Sequence, residues 1–148
     1  MPATVRQVQV LAGAARGDGY AQIGTRLHMS PDMAKRVLHR AAGELHVAPC
    51  PNRVPAAVDA AYRAGILTQL PPEPRQFAPL PAKRLRVLQL IAQGLADRQI
   101  GEALGVSEDT VGTHTKLLYR DLGARTRAHA VALGHQLGHL TTREGVAP

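Results

Sequence analysis

Residues 94–123 read GLADRQIGEALGVSEDTVGTHTKLLYRDLG, and the spacing within this stretch decides the fold. From Ala96 to Leu104 the apolar residues Ile100, Ala103 and Leu104 mark one face of a short helix. Gly105-Val106 follows as a tight turn, and Ser107 is a good N-cap, with Glu108 and Asp109 placed in the first turn where carboxylates complement the helix dipole. A longer helix runs from there to about Leu122. A nine-residue helix, a Gly-hydrophobic-Ser turn and a capped longer helix make a helix-turn-helix, a motif whose second helix enters the major groove of DNA.

Two further helices flank the motif. Upstream, Ala82 to Gln93 carries Leu85, Leu88, Ile91 and Ala92 at helical spacing and is stopped by Gly94; downstream, Thr126 caps a helix that ends at Gly138. Sliding the chain against itself by 77 residues then brings Val10-Leu11 onto Val87-Leu88, Gln22-Ile23-Gly24 onto Gln99-Ile100-Gly101 and Leu45 onto Leu122. Ala15, Gly17, Leu27, Ser30 and Asp32 meet Ala92, Gly94, Leu104, Ser107 and Asp109 in the same register. Beyond Leu45 the first copy has a few extra residues, and Ala57-Val58 through Gly65 then matches Ala130-Val131 through Gly138 at an offset of 73. The chain therefore reads as a duplication, with first-copy helices at 4–16, 20–27, 31–45 and 53–64 and Pro31 at a first helical position. Residues 68–81, TQLPPEPRQFAPLP, hold five prolines and cannot be helical. The expected architecture is all-α: a helix-turn-helix domain over 1–67, a Pro-rich linker over 68–79, a second such domain over 80–140 and a tail over 141–148. As polyproline II the linker would span about 37 Å, close to the separation of half-sites one turn apart on DNA.

On a helical wheel of 107–122, Val111, Thr115, Leu118 and Leu122 share the core sector, while Gly112, Thr113, Lys116 and Arg120 lie roughly opposite. Lys116 suits guanine edges or phosphate, Thr113 offers a methyl and a hydroxyl to a base, and Arg120 suits backbone phosphate. His114 falls at the edge of the core sector, as a packed or phosphate-touching residue. The matching positions of the first copy are Lys35, Arg36, His39 and Gly43, with Arg40 alongside, a more basic face. His28 and His46 read as surface residues at helix ends.

Leu80-Pro81, Val87-Leu88, Gly94, Gln99-Ile100, Leu104-Gly105-Val106-Ser107, Thr110-Val111, His114, Leu122-Gly123 and Arg125-Thr126-Arg127-Ala128 together resemble the LuxR/GerE-type DNA-binding domain. The resemblance implies a four-helix transcriptional regulator whose third helix reads bases and whose fourth often serves dimerisation. Arg84 and Gln7 stand where such domains usually carry a glutamate, and Gly112 stands where Lys or Arg is common.

Composition agrees with a nucleic-acid partner. The chain has 148 residues, 18 Lys+Arg against 11 Asp+Glu and a net charge of +7. Aromatics at 3% argue against a stacking platform for single strands or an aromatic-lined ligand pocket. Cys50 stands alone between two prolines and reads as a loop thiol without a role, while His135 and His139, four apart, lack the further ligands of a metal site. Asp18, Asp97 and Asp121 read as isolated capping or solvated carboxylates. The absence of nucleotide-loop, hydrolase and metalloprotease motifs leads us to expect no enzyme, cofactor or metal. Without a signal peptide or membrane-length apolar run, a cytoplasmic, sensor-free regulator of double-stranded DNA is expected. Its fourth helices should pair, through Ala128, Ala132 and His135, either with a second chain or with the first-copy helix around Ala57 and Ala61. The alternatives are a protein-interaction adaptor, contacting RNA polymerase or another regulator, and a non-specific architectural DNA binder.

Overall fold

The computed structural model describes residues 3–140, so the expected 141–148 tail lies outside the described residues. Among the described residues there are eight helices and no strand: α1 (Val5–Ala15), α2 (Tyr20–Leu27), α3 (Pro31–Glu44), α4 (Arg53–Arg63), α5 (Ala82–Ala92), α6 (Asp97–Leu104), α7 (Glu108–Leu122) and α8 (Arg127–Gln136). Their starts follow local chemistry. The side-chain oxygens of Thr4, Ser30, Ser107 and Thr126 accept the amides of Gln7, Met33, Thr110 and His129, which satisfies donors that a helix leaves open at its first turn.

Within residues 3–67, α3 packs on α1 and α2, and α4 on α1 and α3; within residues 80–140, α7 packs on α5 and α6, and α8 on α5 and α7. Across the halves the packing is reciprocal: α4 lies on α8, α1 on α8 and α5 on α4. A single apolar cluster runs from Val10, Leu11 and Leu38 through Ala57, Val58 and Ala61 to Leu88, Val131 and Leu133. The α8 face held by Ala128 and Ala132 is thus not free for a second chain. Residues 128–134 are all buried, because α5 and α7 cover one side of the helix and α1 and α4 the other. Small side chains let those helices approach closely. The seam also carries polar pairs: His135 Nε2 lies 2.7 Å from Asp59 Oδ1, the His135 ring stacks on Tyr62 at 4.9 Å, and Gln136 donates to the Tyr62 hydroxyl at 2.8 Å.

Residues 68–81 contain no helix, but they do not serve as a spacer between separated bodies. They strap across the second half. The Glu73 amide donates to Gln136 Oε1 at 2.9 Å, Arg75 donates to the carbonyls of Leu122 and Gly123 at 3.0 Å each, and Phe77 stacks on His139. Glu73 also receives His129 Nε2 at 2.8 Å; because His129 Nδ1 accepts the Arg125 amide, Nε2 is the nitrogen that carries the proton. Direct packing of α4 and α1 on α8 removes the need for reach, so the 37 Å estimate for an extended linker has no bearing on how the halves sit.

The three carboxylates that look isolated along the chain are all paired. Asp18 meets Arg26 and Arg125, Asp97 meets Arg127, and Asp121 meets Arg84 at 2.7 Å. Most of these partners come from distant turns, which no local pattern reveals.

Candidate nucleic-acid interface

The unit formed by α6 and α7 is rigid for identifiable reasons. Gln99 Oε1 accepts the Ala96 amide at 2.9 Å, closing the start of α6. Gly105 ends α6 in the left-handed region at φ 71°, and a Cβ at Gly101 would stand 2.6 Å from the Val106 carbonyl, so the two helices meet at a distance only glycine permits. Val111, Leu118 and Leu122 are buried, and Thr115 is buried with its hydroxyl donated to the Val111 carbonyl at 2.9 Å. Two ion pairs tie the motif to the rest: Arg84 of α5 to Asp121 of α7, and Arg127 of α8 to Asp97 of α6.

That anchoring leaves one face of α7 outward. Thr113, Lys116 and Arg120 are exposed there and Gly112 is half-buried with open space beyond its Cα. The Thr113 hydroxyl donates to the Asp109 carbonyl, so its lone pairs and methyl remain for an external donor or a thymine methyl. His114 is half-buried beside this face, with Nδ1 buried and unpartnered. On α3, Lys35, Arg36 and Arg40 are exposed and His39 is half-buried. α3 packs only on α1, α2 and α4, and α7 only on α5, α6 and α8, so neither helix packs on a helix of the other half.

The two faces differ in shape. In the first half the segment 49–55 folds up beside α3 and makes, with Lys35 and His39, a cavity of about 430 Å³. Burial, then the nearby Arg53 and Lys35 charges, push the His39 pKa below the usual histidine value. Arg53, which no helical wheel or motif singles out, therefore joins the basic cluster of α3. The only sequence trace of this is the extra length of the first copy between Leu45 and Ala57. Among the described residues no group of three or more His, Cys, Asp or Glu side chains is placed to hold a metal ion, and no helix is long and apolar enough to cross a membrane.

Residues 78–133 match the model of the bacterial regulatory proteins of the luxR family, the GerE domain. The chain is 42% identical over 67 residues to the transcriptional regulatory protein YdfI of Bacillus subtilis, covering 45% of this chain and 32% of that protein. It is 42% identical over 57 residues to the nitrate/nitrite response regulator NarP of Escherichia coli, covering 38% of this chain and 26% of that one. It is also 32% identical over 112 residues to the nitrate/nitrite response regulator NarL of Escherichia coli, covering 73% and 47%. The chain spans less than half the length of these curated relatives. No solved structure matches it significantly.

Proposed function

We propose that this chain, whose residues 78–133 are a luxR-family helix-turn-helix domain, is a sequence-specific, double-stranded DNA-binding regulator of transcription that uses α7 as its reading helix. The observation that carries the reading is the outward face of α7, where Thr113, Lys116 and Arg120 stand exposed on a helix whose opposite face is fully anchored. Thr113 and Lys116 meet base edges, and Arg120 with His114 meets backbone phosphate. The role is binding, with no enzymatic step and no cofactor.

The first half is a divergent second copy of the same module. Support comes from the backbone as well as from identities. The left-handed positions among the described residues fall into pairs at the two offsets: Gly17 with Gly94, His28 with Gly105, His46 with Gly123, and Gly65 with Gly138. A Cβ at Gly24 would collide with the Met29 carbonyl just as one at Gly101 would with that of Val106. Gln7 of α1 bonds Glu44 of α3 where Arg84 of α5 bonds Asp121 of α7. The reciprocal packing of α1 and α4 on α8, and of α5 and α8 on α4, is that of an isologous dimer fused into one chain. Lys35, Arg36, His39 and Arg40 then give α3 a second basic face, unlike that of α7.

Selection from a random duplex pool tests the reading. At least about a thousandfold preference for a recovered site over random duplex supports it. Equal affinity for every duplex would make the protein architectural. No duplex binding at about 50 mM salt, where phosphate contacts are strongest, would make it a protein-interaction adaptor.

A further inference from the structure

The pocket beside α3 is built by residues that the second half does not have. Segment 49–55 falls in the stretch where the first copy is longer, and with Lys35 and His39 it borders an open concavity of about 430 Å³. Among the described residues, no Asp or Glu lines that space. Two cationic groups do, from Lys35 and Arg53, and the His39 imidazole stands beside them. Arg53 is held in place, because its Nη2 donates to the Val47 carbonyl at 2.8 Å, while its Nε is buried without a partner. The pocket is also lined by the start of α4, and Asn52, the N-cap there, makes no side-chain cap bond. Its side-chain amide is committed elsewhere, donating to the Leu95 carbonyl at 3.1 Å. The first-turn amides of Arg53 and Val54, two residues that line the concavity, are thus left without a side-chain cap.

We propose that this pocket binds a phosphate group, held by Lys35, His39, Arg53 and the open amides of α4. Clustered positive charge with no counter-charge costs free energy that an anion relieves, and several convergent N–H donors suit a tetrahedral oxyanion better than a planar base edge. Burial first, and then the neighbouring charges of Arg53 and Lys35, push the His39 pKa down. A bound phosphate offsets the charge contribution and moves the His39 pKa upward.

The pocket also reaches the second half. The Asn52 backbone amide donates to the Gly94 carbonyl at 3.0 Å, and a Cβ on Gly94 would stand 2.5 Å from the Cys50 sulfur. Gly94-Leu95 is the turn that enters α6, so the phosphate seat and the α6–α7 unit share one hydrogen-bonded segment.

The test is a titration of the full chain, free of DNA, with inorganic phosphate and then pyrophosphate against chloride at matched ionic strength. His39 ring resonances, their pKa and the Gly94 amide are followed by NMR. The expected result is saturable movement of both signals and a rise in the His39 pKa, with affinity at least tenfold weaker in Lys35→Ala and in Arg53→Gln. Lys35 is exposed, so its removal leaves the fold intact and keeps the comparison clean. A second arm separates the two sources of such a group. If DNA backbone fills the pocket, pyrophosphate competes with duplex and Lys35→Ala lowers the salt slope by about 0.9. If a free phosphorylated small molecule fills it, the pyrophosphate-saturated protein still binds duplex. Either outcome supports a phosphate seat. His39 signals that respond to pyrophosphate no more than to chloride, or binding that survives Lys35→Ala undiminished, would overturn it. Because the first arm contains no DNA, its result holds even if α7 fails to read a duplex.

Discussion

Gly112 lies in the second turn of α7, on the face proposed to meet DNA, and it has no structural reason to be glycine. Its backbone is helical, and a Cβ built there meets nothing within 4 Å. Gly112→Ala should therefore stabilise the protein by about 0.5–1 kcal/mol, chiefly by removing backbone freedom from the unfolded chain. For a chain of this size that is a rise of about 2–4 °C in Tm at the upper end. Gly101 provides the internal control, because it is also helical yet a Cβ there would sit 2.6 Å from the Val106 carbonyl. Gly101→Ala gains the same propensity but must open the turn between α6 and α7, so a net loss of roughly 1–3 kcal/mol is expected. Thermal and urea unfolding followed by circular dichroism measure both. Gly112→Lys then tests function on the same site: a cation there should steepen the salt dependence of duplex binding by about 0.9 in the log–log slope if it reaches a phosphate. A Gly112→Ala protein that melts no higher than its parent, or a Gly101→Ala protein that melts as high, would contradict the α6–α7 geometry.

Lys116→Ala should weaken binding to a selected duplex by about 1–3 kcal/mol and relax preference at one base position; competition against singly altered duplexes checks this, and equal weakening for all of them would reassign Lys116 to phosphate. Ala132 is fully buried on α8, so Ala132→Glu should cost several kcal/mol by placing an unpaired carboxylate inside the protein, whereas unchanged urea unfolding would mean that α8 is not enclosed. His39 has a folded-state pKa below its unfolded one, so the unfolded chain takes up the proton first: the contribution is intact above about pH 6.5 and is lost as pH falls from there through the lowered folded value. His39→Gln should flatten that segment of the stability profile, and a profile of unchanged slope would count against the cationic surroundings of His39.

Much of the helical layout is legible in the sequence because it depends on near neighbours. Ser30, Ser107 and Thr126 cap the helices they precede, and the wheel of α7 separates Val111, Thr115, Leu118 and Leu122 from Thr113, Lys116 and Arg120 as the structure does. His28 and His46 carry less information than their positions deserve. They occupy the left-handed sites that Gly105 and Gly123 fill in the other half, and a histidine at such a site gives no local sign of it. Arg53 is hidden for a related reason, since its nearness to His39 depends on how segment 49–55 folds back.

Local pattern is enough to say which segments are helical, where the helix-turn-helix lies and which side of α7 faces outward, because periodicity and capping act within three or four residues. It leaves open where the alanine face of α8 goes: Ala128 and Ala132 suit close approach by any helix, from a second chain or from this one. The packed molecule resolves this in favour of α4 and α1, where His135 finds Asp59 and Tyr62. The same holds for the Pro-rich segment. Its prolines exclude helix locally, but its course over the second half depends on Glu73 meeting His129 and Gln136, and Arg75 meeting the carbonyls of Leu122 and Gly123. Those pairs lie far apart along the chain and come together only once the seam between α4 and α8 has brought the helices into place.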